Sequence, residues 1–412
     1  SLVPRPRDGI CNLEFIILSF LYFCMKRNDM LYTSYIELSK SALNNNIEYM
    51  KGKAGDKARY SMVIKGNAYG HGIEDILPMV EACGVDHFSV FSVEEAKMAL
   101  SVKQEFCDLM IMGFIDNDSL DWAIENDISF FVFTMERLRA VERAAQRTKK
   151  PARIHIELET GMHRTGFTQS QLSEVAEVLK KNAKTIFLEG ICTHFAGAES
   201  LENFGRIISQ IKTYKQTERW FQQQGLEPAF RHMACSAGVL NFPDSSMDLV
   251  RVGISNYGFW PSNETKMLHF ENGTTPYDPL KRVLSWKSKV MSVNHVNEGE
   301  YVSYGTSYLT NRESKIATVP IGYSYGFSRT LSNMGHVLIN EKRVPVVGAV
   351  NMNMMVVDVT DLPNVKVDDE VVLIGDQGDK SISVSSFSDM NNSMNYELLT
   401  RLPRDIPRYE VD

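Results

Sequence analysis

Between about Tyr32 and Gly258 the chain alternates short β-rich runs with helix-patterned stretches, and this alternation constrains the fold more than any other feature. The strand candidates are Arg59–Lys65, His87–Ser92, Asp108–Gly113, Ile128–Thr134, Arg153–Glu159, Phe187–Thr193, Phe230–Ser236 and Asp248–Gly253. Helical patterns separate most of them, including Ser119–Glu125, Met135–Arg147, Gln171–Lys181 and a longer amphipathic stretch over Glu202–Gln224. Strands separated by helices are the pattern of a parallel sheet. Eight of them over this length favour an α/β fold of the closed (β/α)8 barrel type over an open doubly wound sheet. A G-x-G-x-x-G fingerprint is missing, which weakens a dinucleotide-binding reading.

After about Pro276 the pattern changes. Leu284–Val293, Lys315–Ile321, Val344–Val359 and Glu370–Ile374 are rich in strand formers and punctuated by turn residues, without long helical stretches. The expected organisation is therefore a barrel over residues 31–272 and a mostly β domain over residues 273–412, packed firmly because no low-complexity linker separates them. The 412 residues, 43% apolar and 23% charged, suffice for two cores. A net charge of -7 provides no basic footprint, so nucleic acid is not an expected partner. The six cysteines form no C-x-x-C pair, which indicates neither a zinc site nor a disulfide framework, and scattered thiols suit a reducing cytoplasm.

Residues 1–30 stand apart. Leu2-Val3-Pro4-Arg5 looks like a protease-site remnant from cloning. Leu13–Met25 is nearly all apolar and is followed by Lys26 and Arg27. A spanning helix needs about 20 apolar residues, so this run alone is too short. It reads either as a buried or exchanged helix, or vector-derived sequence, or as the end of a membrane helix leaving on the positively charged, cytoplasmic side.

The first barrel strand candidate ends in Val63-Ile64-Lys65, followed by Gly66-Asn67-Ala68-Tyr69-Gly70-His71-Gly72. Barrel active sites sit at the C-terminal ends of strands. A lysine there is costly unless paired or covalently used, so it is either a rim lysine reaching solvent or one that bonds a carbonyl cofactor.

The run VIKGNAYGHG resembles the cofactor-lysine motif of the alanine racemase family, V-K-A-N-A-Y-G-H-G, with Gly66 in place of an alanine. Further matches follow in the same order. Glu159–Gly166 resembles D-T-G-M-x-R-x-G, with Arg164 as its arginine; Thr193-His194-Phe195 matches T-H-F; and His232 through Ser236-Ala237 matches H-x-x-x-S-A. Arg251–Gly258 matches R-x-G-I-x-x-Y-G, Val302–Gly305 matches V-S-Y-G, Pro320–Tyr323 matches P-I-G-Y, and Asn395-Tyr396-Glu397 matches the late Asn-Tyr-Glu. The resemblance covers about Tyr32 to Arg408.

That resemblance implies pyridoxal 5'-phosphate, bound by Lys65, and a racemase supplying D-amino acids for peptidoglycan precursors. Racemisation takes an α-proton from one face and returns one to the other, which needs two acid–base groups and an electron sink between them. The family assigns the faces to Lys65 and Tyr304, with Tyr304 and Met352 donated across a homodimer interface. A phenol has an unperturbed pKa of about 10, so it needs help as a base; His194 and Arg251 are implied to supply a polar network. Arg251 is also implied to contact the pyridine nitrogen. Cofactor binding is assigned to Lys65, Tyr69, His232, Ser236, Arg251, Gly253, Ile254 and Tyr396. Substrate contacts are assigned to Arg164, Met352, Asn353, Tyr323 and Glu157.

Two positions depart from the family pattern. Glu157 stands where many members carry a carbamylated lysine, and a native carboxylate would supply that negative charge beside Arg164 directly. Asn351-Met352-Asn353 stands where C-M-D is usual, so Asn353 removes a negative charge and adds an amide donor. This change is similar to the serine/alanine racemases of vancomycin-resistant bacteria, whose catalytic domain follows a membrane domain; the apolar run before Lys26 fits that arrangement. The alternatives are another barrel enzyme using the same cofactor, such as an amino-acid decarboxylase, a non-catalytic cofactor-binding protein, or a membrane-tethered ligand sensor.

Overall fold

The computed structural model describes residues 32–272, 277–384 and 395–412. The apolar run Leu13–Met25 lies outside them, and among the described residues no helix is long and apolar enough to cross a membrane.

The first strand, β1 (Ser34–Ser39), ends at Ser39, whose hydroxyl caps the helix Lys40–Ala54 by accepting the Ala42 N–H. Eight parallel strands then form a barrel: β2 (Arg59–Val63), β3 (His87–Val90), β4 (Asp108–Ile111), β5 (Ser129–Val132), β6 (Ala152–Glu157), β7 (Ile186–Cys192), β8 (Phe230–His232) and β9 (Leu249–Val252). They pair in sequence order, and β9 returns to β2. Between β8 and β9 the ring is closed by two backbone bonds, Asp248 N–H to Arg231 O and Arg251 N–H to Ala234 O, both 3.0 Å. Each strand corresponds to one of the eight segments expected from sequence.

Alternation along these strands separates two environments. Phe88 and Val90, Leu109 and Ile111, Phe130 and Val132, and Ile154 and Ile156 pack in the main apolar core. The interleaved positions differ in chemistry. Met110, Phe131 and Cys192 form a small separate cluster, and the buried His87, Ser89, His155 and Arg251 are polar. At the strands' N-terminal ends Arg153 binds Glu189 (2.6 Å) and Asp108 (2.9 Å), and Arg59 binds Asp108 (2.6 Å).

The second domain is mostly β. Its larger sheet contains β10 (Leu284–Lys289), β13 (His336–Ile339), β14 (Lys342–Pro345), β16 (Glu370–Gln377), β17 (Lys380–Ile382) and β18 (Arg408–Val411). The smaller contains β11 (Ser292–Val296), β12 (Ser314–Val319) and β15 (Met355–Asp358). Two segments expected as continuous β runs are divided. Leu284–Val293 crosses from one sheet to the other at Val290 and Met291, which bond to Asp369 and Thr318. Val344–Val359 splits into β14 and β15, leaving Asn351-Met352-Asn353 on the connection.

One boundary needs correction. Although β1 falls inside the 31–272 span expected for the barrel, it pairs antiparallel with β10 and parallel with β18. Ile36 and Leu38 are fully buried there. Its partners lie hundreds of residues later, so local periodicity carries no trace of the pairing.

Candidate active site

Strand β2 ends at Val63, and the chain turns immediately after Lys65. Gly66, Asn67, Ala68 and Tyr69 take φ of 64°, 53°, 54° and 51°, a left-handed turn completed by Gly70 at 83°. For non-glycine residues this conformation costs roughly 1–2 kcal/mol each, so the turn persists only because its surroundings hold it. Within the turn Gly70 N–H donates to Gly66 O at 3.0 Å. Outside it, the buried Glu95 carboxylate accepts from Gly66 N–H and Asn67 N–H, and Asn67 Oδ1 accepts from Ile73 N–H at 3.1 Å. Arg408, from β18, donates to Gly70 O through Nε (3.2 Å) and Nη2 (2.9 Å). Burial, with the positive charge of Arg164, lowers the pKa of Lys65. A lysine that gives up its proton more easily is a better nucleophile.

Beside the Lys65 turn, Tyr69, Ser236 and Gly253 converge. Gly253 N–H donates to Ser236 Oγ at 3.0 Å, and a Cβ at Gly253 would lie 2.6 Å from the Tyr69 hydroxyl, so only glycine leaves this space open. Ile254 follows at the start of a 3-10 turn, and the Tyr396 ring lies 6.2 Å from that of Tyr69. Hydroxyls and a loop backbone around a space kept clear of side chains fit a phosphate group.

Arg251 lies between these features. Its Nη2 donates to Thr193 O at 2.7 Å, and its Nη1 contacts the ring Nδ1 of His232. His194 is half-buried; desolvation, together with the charges of Arg251, Lys65 and Arg164, holds its pKa down at about 3, so the ring is neutral. Glu157 is buried at the end of β6, and burial raises its pKa, opposed by a hydrogen bond from Thr165 and the charges of Arg251 and Arg164. Arg164 itself is exposed on the loop after β6.

The remaining candidates form a separate group on the second domain. Tyr304 and Met352 are exposed at 73% and 56%, and Tyr323 is also exposed. Asn353 Nδ2 donates to Ser324 Oγ at 3.1 Å, and Ser324 Oγ donates to Met352 O at 2.7 Å. Ser303, beside Tyr304, donates to Ala349 O and Asn351 Oδ1. The fold thus brings Lys65, Tyr69, His194, His232, Ser236, Arg251, Gly253 and Tyr396 to the barrel mouth, while Tyr304, Tyr323, Met352 and Asn353 lie on loops of the second domain.

Sequence reasoning passed over two residues that hold this mouth together. Glu95 is one. The other is Gln210, fully buried on the helix Phe204–Gln223. Its Nε2 donates to Thr160 Oγ1 (3.1 Å) and His194 O (2.9 Å), and its Oε1 accepts from Ala196 N–H (2.8 Å). One amide therefore ties the loop carrying Arg164 to the loop carrying His194. A polar residue on the inner face of an amphipathic helix was the available signal.

A lysine of lowered basicity at a barrel-strand end, facing an anion cradle, defines a (β/α)8-barrel enzyme with an appended β domain. Family models for the alanine racemase N-terminal and C-terminal domains match residues 38–261 and 283–410. The alanine racemase of Leptospira interrogans is 32% identical over 381 residues, 92% of this chain and 96% of its own. Among solved structures, alanine racemase from Bacillus anthracis with bound L-Ala-P superposes with a TM-score of 0.84 at 30% identity, covering 93% of this chain and 96% of that one. Alanine racemase from Bartonella henselae with covalently bound pyridoxal phosphate superposes at 0.79 and 26% identity, covering 92% and 100%. The chain belongs to the alanine racemase family.

Proposed function

We propose that this protein is a pyridoxal-phosphate-dependent alanine racemase with Lys65 as its cofactor lysine. The observation that carries the reading is the placement of Lys65, held just after β2 by a left-handed turn that also carries Tyr69 into the anion cradle. Tyr69, Ser236, Tyr396 and the amides of Gly253 and Ile254 would hold the phosphate, and His232 and Arg251 would flank the ring. When bound, the cofactor supplies the electron sink that lets an α-proton leave.

Lys65 moves the proton on one face of the substrate, and Tyr304 moves it on the other. Tyr304 and Met352 come from the partner subunit of a homodimer, a reading supported by their exposure on the second domain. Glu157 and Arg164 serve the substrate carboxylate end, Glu157 as the anion that steadies Arg164. The D-alanine produced serves peptidoglycan precursors.

The test is α-proton exchange of L-alanine in deuterated solvent with added cofactor. A racemase labels both enantiomers; a decarboxylase releases carbon dioxide, and a binding protein labels neither. Lys65→Ala should abolish covalent cofactor absorbance and lower turnover by at least about a thousandfold. Retention of either would overturn the assignment.

A second reading, that serine is also accepted, is favoured by Asn353, whose amide is a donor where the family pattern has an aspartate. Serine and alanine kinetics in the native chain and in Asn353→Asp decide it: equal indifference to serine in both rejects the reading. Attachment to a membrane through an upstream segment would be consistent with the serine reading, and fractionation of the full chain tests it.

A further inference from the structure

Three barrel strands each carry a fully buried histidine, His87, His155 and His232. Two of them are joined in series to a cation. Arg251 Nη1 contacts His232 Nδ1, and His232 Nε2 lies 2.9 Å from His155 Nδ1. His155 Nε2 makes no hydrogen bond and lies 4.0 Å from Glu189 Oε2. Glu189 accepts from Arg153 Nε at 2.8 Å and Nη2 at 2.6 Å, which fixes its carboxylate.

The direction of this series is dictated by its first member. A guanidinium has donors and no acceptor, so His232 Nδ1 must present a lone pair. A neutral imidazole with a bare Nδ1 carries its proton on Nε2, and that N–H is then the donor to His155. His155 Nδ1 must accept, which leaves its own proton on Nε2, the nitrogen nearest Glu189. A proton on either Nδ1 would set two donors against each other where water cannot intervene, at the cost of a buried unsatisfied group.

We propose that His155 and Glu189 are positioning residues that act on Arg251 through His232. The series holds both imidazoles in the Nε2–H form and fixes one arm of the guanidinium, while Thr193 O fixes the other. Burial, with the positive charge of Arg251 beside His232 and of Arg153 and Arg251 beside His155, keeps both rings neutral, Asp108 acting in the opposite sense on His155. The consequence for turnover rests on the reading of Arg251 as a residue that meets the cofactor. The tautomers do not.

The test is long-range proton–nitrogen correlation on the full chain labelled with nitrogen-15 histidine, with and without added pyridoxal phosphate. His232→Gln and His155→Phe serve to assign the signals. Both rings are expected in the Nε2–H form between about pH 6 and pH 9. An Nδ1–H or doubly protonated form of either ring in the native chain overturns the proposal. Glu189→Gln keeps the shape and removes the charge. It should shift the His155 Nε2–H resonance and lower kcat for alanine about tenfold, with KM nearly unchanged. Unchanged resonance and unchanged kcat remove Glu189 from the series. The expected tautomers without any racemisation would overturn the proposed function and leave the series standing; racemisation with an Nδ1–H ring would do the reverse.

Discussion

Glu95 Oε1 accepts the backbone N–H of Gly66 at 2.6 Å, so the first peptide after Lys65 is held by a carboxylate from the following βα unit. The same oxygen takes Asn67 N–H at 3.2 Å, and Oε2 takes Phe91 N–H at 2.9 Å. Three backbone donors at the mouth therefore depend on one buried side chain. Glu95→Ala should destabilise the protein by about 3 kcal/mol in urea unfolding, because charge-assisted bonds are lost and their donors left enclosed. Weaker cofactor retention should accompany it. A loss under about 0.5 kcal/mol would show that the turn holds itself.

Gly70 tests the other side of the same turn. Its φ is 83°, and an added Cβ would lie 1.9 Å from Leu399 O, on the helix Asn395–Thr400 that carries Tyr396. Gly70→Ala must therefore move that helix as well as strain the backbone. A loss of about 2–4 kcal/mol is expected. Cofactor affinity, read by titration of its absorbance, should fall in parallel because Tyr396 moves off Tyr69.

Glu157 makes a prediction with opposite signs for stability and function. Burial raises its folded-state pKa. Its contribution to stability is therefore complete below the ordinary carboxylate value of about 4.3 and is lost as pH rises through the raised folded value. Glu157→Gln should unfold at higher urea than the native chain at pH 8, with the advantage vanishing in acid. Turnover or substrate binding should fall at the same time. Lower stability at pH 8 would show that the Thr165, Arg164 and Arg251 interactions outweigh desolvation.

Three desolvated histidines, two of them fully buried, set the acid limit of the fold. His71, His87 and His194 are each held down to about 3, chiefly by burial. A depressed pKa means the unfolded chain binds protons that the folded chain refuses. Stability should be complete above the unfolded-state value of about 6.5 and fall progressively as pH drops toward 3. Urea midpoints between pH 7 and pH 4.5 measure this, and a flat profile would contradict it. Replacing His87 with a residue of similar volume that does not titrate should flatten the slope.

The strands of the barrel were legible because each buries one face against helices. The pairs Phe88 and Val90, Leu109 and Ile111, Phe130 and Val132, and Ile154 and Ile156 each stand two residues apart, the spacing that this requires. The lysine and its glycine-rich follow-on were legible because a dense local motif carries them. Glu95 and Gln210 sit in no such motif: the inward polar position of Gln210 on its helix is the one local hint, and the groups they satisfy, Gly66 and Asn67 for Glu95 and Thr160 and His194 for Gln210, lie on other loops. Strand β1 went unassigned to its sheet for the same reason, since Ile36 is completed by Trp286 and Arg408.

By itself, the sequence determined that a lysine would end a parallel strand, that helices would sheath eight such strands, and that a β domain would follow. These properties are local, written in periodicity and in contiguous residues. Only the tertiary structure decided which backbone groups Glu95 and Gln210 satisfy, which nitrogen of His232 faces Arg251, and how Gly253 keeps space open beside Tyr69. Those relations join residues from different strands and loops. They arise from close packing and from the need of every buried polar group for a partner, neither of which is settled until the chain has closed on itself.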